Sequence, residues 1–306
     1  SQSARAGSTV TFSVGASGAT AYQWRHNDEP LDGQTSATLT LVNVQQAQAG
    51  RYQVEVSNAL GSSLSQEATL TVVDDTPVAF ADANLVTVLR EQLNKPTGDI
   101  TEFDMLTLTA LNAGWRNIQD LTGLEAAMNL EHLFLVGNPL TNTAALSGLP
   151  NLRYLELGGT GVTDLSSLSS LVNLEWLFLY DCGLTSLPDL SALARLRFLN
   201  VERNHIADLG PVATRSTLET LLAGQNPVQS LEPLLALPHL SQLSVGTLTN
   251  VDLSPVANLP ALRDLSLQTC RGVDLLPVYG LTALQSLTVG DCQIVVPVDG
   301  ELHHPL

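Results

Sequence analysis

The sequence predicts two domains in series: an all-β sandwich, then a right-handed solenoid with a helical N-terminal cap. In the solenoid, parallel strands line a concave sheet and short helical turns form the convex side. Three observations carry this. Residues 1–73 hold short runs of alternating apolar and polar residues separated by Gly, Asn and Asp. From Leu108 onward, leucines recur at a fixed period of 22 residues without an insertion. Between the two lies a stretch with helical spacing of apolar residues.

Composition narrows the function classes. The chain has 306 residues, with 13 Lys+Arg against 30 Asp+Glu and a net charge of -17. A nucleic-acid binder needs a basic footprint, and this chain has none. The same sign disfavours anionic membrane surfaces. No run of about 18 apolar residues exists to span a bilayer, so membrane insertion is not expected. The start, Ser1-Gln2-Ser3-Ala4-Arg5, has no apolar signal region, so a signal or anchor is not expected within this chain.

In the first domain, expected over 1–73, the alternating runs are Thr9–Val14, Ala37–Leu41, Tyr52–Val56 and Ala68–Val72. Trp24 lies ten residues after Val14, and Tyr52 stands two before Val54. These features resemble the immunoglobulin I-set domain, with Trp24 as core tryptophan and Tyr52 as tyrosine corner. In that family cysteines occupy the positions of Val14 and Val54. The resemblance therefore implies a sandwich without a disulfide, packed Val–Trp–Val, like those appended to bacterial surface and secreted proteins. Asp74-Asp75-Thr76-Pro77 reads as a short polar linker. Residues 78–107 read as the cap. Leu85, Val88, Leu89 and Leu93 have helical spacing, Lys95–Asp99 interrupts, and Ile100–Leu106 starts a second helical segment. A solenoid needs such a cap because its first core layer cannot face water.

The repeats are expected over 108–294 as nine units. With Leu108 as column zero, that column recurs at Leu130, Leu152, Leu174, Leu196, Leu218, Leu240, Leu262 and Leu284. Column three is leucine from Leu111 to Leu287, and column five holds Ala, Leu or Val. This is the L-x-x-L-x-L-x-x-N/C pattern of a leucine-rich repeat. Pro211, Pro233, Pro255 and Pro277 share one column on the return half, where a missing N–H is tolerated in the first turn of a helix. The turns near Thr247–Val251 and Thr269–Val273 place the next apolar residue one position late. The remaining residues, 295–306, read as a C-terminal tail without an obvious second cap.

Column eight contains all three cysteines, Cys182, Cys270 and Cys292, beside Asn138, Asn204 and Asn226. A small polar side chain there turns inward and bonds the loop backbones of neighbouring coils, since buried amides and carbonyls need partners. The column lacks the converging His or carboxylates of a metal site or catalytic thiol, so these six are read as structural.

Phe80-Ala81-Asp82 opening the cap, Ile118–Glu125 in the first coil and Asn129-Leu130-Glu131-His132-Leu133 entering the second carry a resemblance to the internalin-type class of bacterial leucine-rich proteins. It covers about 78–294. It implies a concave sheet that binds protein receptors on other cells, and a secreted or cell-surface location. Here the immunoglobulin-like domain precedes the cap, whereas the family usually places one after the repeats.

Columns two, four, six and seven are expected on the concave side. They collect Trp115, His132, Phe134, Tyr154, Trp176, Phe178, Tyr180 and Phe198, including seven of the fourteen aromatics, all in the first half of the repeats. Glu156, Arg203 and other charged residues rim them. An aromatic centre with a charged rim matches protein interfaces. Each ring buries roughly 150–250 Å², so seven supply on the order of 1,000 Å². These ten residues form the candidate ligand-binding patch, with a protein as first expected partner and a glycan as second. The opposing reading is a cross-strand ladder that only stiffens the sheet, in a stalk or spacer with no specific ligand. No catalytic, metal or cofactor site is expected: the histidines are scattered, and the pair His303-His304 falls in the tail.

Overall fold

The computed structural model describes residues 1–294; the tail expected over 295–306, with His303 and His304, lies outside the described residues. The chain forms two compact units. One comprises Ser1–Val78 with Gly98–Thr107, the other Ala79–Thr97 with everything from Leu108 onward. The segment read as a cap, 78–107, is thus divided between them.

The first unit is an antiparallel sandwich with one parallel edge. Its strands are β1 (Gln2–Arg5), β2 (Val10–Ser13), β3 (Ala21–His26), β4 (Glu29–Pro30), β5 (Thr38–Leu41), β6 (Gly50–Asn58), β7 (Gly61–Leu64) and β8 (Ala68–Val73). One sheet runs β1-β8-β6-β3-β4 with β7 on β6, and β2 pairs β5 in the other. β1, missed by the sequence reading because only one of its residues is buried, runs parallel to β8. Trp24, Tyr52 and Val54 are fully buried, and the Tyr52 hydroxyl donates to the Gln48 carbonyl at 2.7 Å. The expected Val–Trp–Val core is corrected in one member. Phe12 fills the space, its ring 4.9 Å from Tyr52 and 6.2 Å from Trp24, while Val14 lies beyond the end of β2 and is only partly buried. The residues read as a linker are tied down within this unit. Asp75 pairs with Arg5 at 3.4 Å, and the Thr76 carbonyl accepts from the amide of Glu102, the first residue of a short helix, Glu102–Leu106.

The second unit begins with a helix, Ala83–Gln92. Asp82 caps it: one carboxylate oxygen accepts from the amides of Asn84 and Leu85, the other from those of Gln119 and Asp120. Nine parallel strands follow in chain order: β9 (Ala110–Asn112), β10 (His132–Phe134), β11 (Tyr154–Glu156), β12 (Trp176–Phe178), β13 (Phe198–Asn200), β14 (Thr220–Ala223), β15 (Gln242–Gly246), β16 (Asp264–Gln268) and, after a short β17 (Arg271–Val273), β18 (Ser286–Gly290). Register is exact to the repeat: His132, Tyr154, Trp176 and Phe198 are neighbours across strands, as are Phe134, Glu156 and Phe178. Column-three leucines from Leu111 to Leu265 are buried. The late-shifted turns have a cause: β17 pairs with Gln293–Ile294 in a second small parallel sheet, and Thr249 bridges to Arg271.

Two backbone habits repeat around the coils. Column seven has positive φ in every coil: Trp115, Gly137, Gly159, Asp181, Arg203, Gln225, Thr247, Thr269 and Asp291. This left-handed residue turns the chain out of the strand so that column eight points inward. The convex turns are mostly 3₁₀, as at Ala144–Gly148, Ser166–Ser170, Gly210–Thr214 and Glu232–Ala236, with Pro211 and Pro233 in their first turns. Column twelve precedes these turns. There Asp120, Asn142, Asp164, Asp208, Asp252 and Asp274 each accept a hydrogen bond from the amide two residues on.

Candidate functional site

Strands β10 to β13 present their even columns on the concave face because their leucines occupy the core. The rings do not stand independently. They form a zigzag: Phe134 to Tyr154 at 4.7 Å, Tyr154 to Phe178 at 5.1 Å, and Phe178 to Phe198 at 4.7 Å between centroids, all tilted by 32–37°. His132 joins at 6.3 Å from Tyr154. Every ring in this ladder is half-buried. Tilted pairs at this separation are worth about 0.5–1.5 kcal/mol beyond their buried area, so the ladder stiffens the sheet while leaving ring surface open. The stiffening and binding readings are therefore compatible.

Trp176 and Tyr180 sit beside the zigzag, each half-buried. The Tyr180 ring covers Gly158 in the preceding coil, where a Cβ would overlap it. Its hydroxyl donates to Glu156 Oε1 at 2.9 Å. Burial, reinforced by that carboxylate, pushes the Tyr180 phenol up to about 12, so it remains a neutral donor. Glu156 itself lies in register between Phe134 and Phe178.

Two expected patch members stand apart. Trp115 is 76% exposed, lies flat over Gly137 of the next coil, and among the described residues makes no ring–ring contact. Arg203 is exposed and pairs with Asp181 at 3.5 Å. The structure thus brings together His132, Phe134, Tyr154, Glu156, Trp176, Phe178, Tyr180 and Phe198.

A second ladder runs alongside in column one, which reads Glu131, Arg153, Glu175, Arg197, Glu219. Arg153 donates twice to Glu175 Oε1, at 2.7 and 3.0 Å, and Arg197 twice to Glu219 Oε1, at 2.6 and 2.9 Å. Sequence reasoning saw these residues only as a rim; the signal for pairing was the alternation of sign at intervals of 22.

Column eight is the frame under the face. Asn204 Oδ1 accepts from the amides of Cys182 and Leu184, and its Nδ2 donates to the carbonyls of Leu179 and Val201, all at 2.8–3.1 Å. Asn138 makes the corresponding four bonds, and Asn226 joins Ile206 to Val201. The cysteines are free thiols. Cys182 donates to the Leu157 carbonyl at 3.2 Å, and burial raises its pKa. Burial and the neighbouring Cys292 push Cys270 up to about 12. Neither buried thiol is a nucleophile at neutral pH. Glu156, Asp181 and Glu202 do not pair with one another; their partners are Tyr180, Arg203 and Ser244. Among the described residues no group of three or more His, Cys, Asp or Glu is placed to hold a metal ion.

Comparison with known proteins agrees with this architecture. The immunoglobulin I-set domain family matches residues 1–72, and the leucine-rich repeat family (two copies) matches residues 129–170. The chain joins an immunoglobulin I-set domain to leucine-rich repeats. The repeat chain is similar to internalin C2 of Listeria monocytogenes, with a TM-score of 0.65 and 26% identity over 70% of this chain and 97% of that one. It is also similar to an internalin, inlF, of the same organism, with a TM-score of 0.61 and 27% identity over 73% of this chain and 74% of that one. No curated protein sequence matches the chain. Leucine-rich repeat solenoids of this type present extended concave surfaces suited to protein interaction, and no helix among the described residues is long and apolar enough to cross a membrane.

Proposed function

We propose that this chain is a non-enzymatic binding module of a secreted or cell-surface bacterial protein, docking a protein partner on the concave face of coils two to five. The observation that carries it is the ring ladder from His132 to Phe198: half-buried aromatics, concentrated on one stretch of an otherwise small and polar sheet, with Trp176 at its side. Interfaces draw their affinity from such anchors. The similarity to internalins supports the assignment to adhesion.

The test is a Trp176→Ala/Phe178→Ala double variant, purified beside the wild type and assayed for binding to host cells. Tyr180 is left in place because it packs on Gly158 and bonds Glu156. Loss of central anchors costs about 2 kcal/mol or more, so binding should fall about thirtyfold or more with an unchanged far-UV circular dichroism spectrum. Unchanged cell binding by a folded variant rejects the proposal in favour of a spacer. Pretreating the cells with protease or with glycosidases separates a protein receptor from a glycan.

A further inference from the structure

Charge on columns two, four and six of the concave face is one-sided. Across all nine coils, columns two, four and six contain Glu156, Glu202 and Asp264 and no Lys or Arg. The arginines bordering the ladder are already satisfied: Arg153 by Glu175, Arg197 by Glu219 and Arg203 by Asp181. The carboxylates are not. Glu156 receives one neutral hydroxyl, from Tyr180, and Glu202 one, from Ser244 at 3.3 Å. Among the described residues neither has an ion-pair partner, and no cation lies over a ladder ring.

We propose that the ring ladder receives a protein surface leading with arginine or lysine side chains. This rests on the ladder being the binding face. Glu156 is flanked in register by Phe134 and Phe178 on strands about 4.8 Å to either side. A cation entering there meets a carboxylate and aromatic faces together, and such ion–ring contacts strengthen as water is excluded. Its methylene stem lies along the rings while its charged head reaches the carboxylate. Guanidinium suits the site better than ammonium, because its planar fork can stack on a ring and bond a carboxylate at the same time. An acidic partner would bring its charge against Glu156 and Glu202 with no free cation on these columns to meet it. The net charge of -17 acts in the same direction at longer range, steering basic surfaces in and acidic ones away.

The experiment is selection of a random phage-displayed peptide library on the full chain, with recovered peptides re-assayed on Trp176→Ala/Phe178→Ala and on Glu156→Gln/Glu202→Gln. The expected result is a set of peptides enriched in Arg and Lys that lose binding on the ring variant. The same peptides should weaken at least tenfold on the Glu→Gln variant and weaken as salt rises from 50 to 500 mM. Peptides that depend on the rings but are not enriched in basic residues, or that ignore the Glu→Gln change, overturn this inference and leave the binding face standing. If no recovered peptide depends on the rings, the face itself is wrong and the inference falls with it. Circular dichroism of both variants excludes misfolding as the cause of a loss.

Discussion

Asn204 shows what a single side chain does in this molecule. It is buried and spends its whole hydrogen-bonding capacity on backbone groups of two coils. Asn204→Ala orphans the amides of Cys182 and Leu184 and the carbonyl of Leu179 at once, while the Val201 carbonyl keeps its bond from Asn226. Each buried unsatisfied group costs about 1–3 kcal/mol, partly relieved by relaxation, so the variant should lose about 3 kcal/mol or more. Urea unfolding checks this: the midpoint should drop with an unchanged slope. A shift under about 0.5 kcal/mol would mean the column merely fills space. This residue was legible in the sequence, because a buried polar column at a fixed position has one economical explanation. Other residues were not. The role of Gly158 as the floor beneath Tyr180 depends on a ring in the next coil. Nothing in the sequence around Arg5 signals its partners. In the fold it reaches Asp75 and Asp104 and lies 4.8 Å from the Phe103 ring centroid, contacts across 70 and more positions that no local pattern signals.

At the scale of the element, the repeat's strand and core columns could be read directly because burial imposes them on side-chain type. The left-handed column seven could not. Only Gly137 and Gly159 advertise it; the other seven coils put Trp, Asp, Arg, Gln or Thr there and bear the strain. For residues with a Cβ the left-handed conformation costs roughly 1–2 kcal/mol, and β-branched residues tolerate it least. Thr269 has φ of 55° and an exposed side chain. Thr269→Asn should therefore stabilise the protein by about 0.5–1 kcal/mol, since Asn accepts this conformation without glycine's entropy cost in the unfolded chain. Gly137→Ala should do the reverse, because its Cβ would carry positive φ and collide with the Trp115 ring. Thermal melts of the two variants should move in opposite directions. If both destabilise, local strain is not what column seven costs. The zigzag ladder was half legible: the rings and their strands were evident, whereas their diagonal contacts follow from sheet twist and rotamers that a register alone does not fix.

For the whole molecule, charge and proton linkage set the conditions under which it stands. The chain is strongly acidic, so lowering pH from neutral first relieves self-repulsion. Against this, several carboxylates are held below their ordinary range. Asp120 and Asp252 are held low by the hydroxyl and then the amide two residues on, Asp164 by the amide and then the hydroxyl of Ser166. Burial alone would raise Asp82, but its four backbone donors outweigh it and the result is lowered. A depressed folded pKa contributes stability above the unfolded value, about 3.9, and loses it as pH falls through the lower folded value. The melting temperature should thus hold or rise from pH 7 to about 5 and fall steeply below about 4. A melting temperature unchanged at pH 3 would show that these aspartates do not support the fold.

The alternating signs of column one carry a consequence for how such a protein can change length. Arg153 faces Glu175 and Arg197 faces Glu219 because adjacent coils are electrically unlike. Removing a single coil from this stretch would set arginine beside arginine or glutamate beside glutamate, whereas removing two restores the original neighbours. Over these five coils a deletion is therefore electrically neutral only when it takes coils two at a time, a period twice that of the leucines.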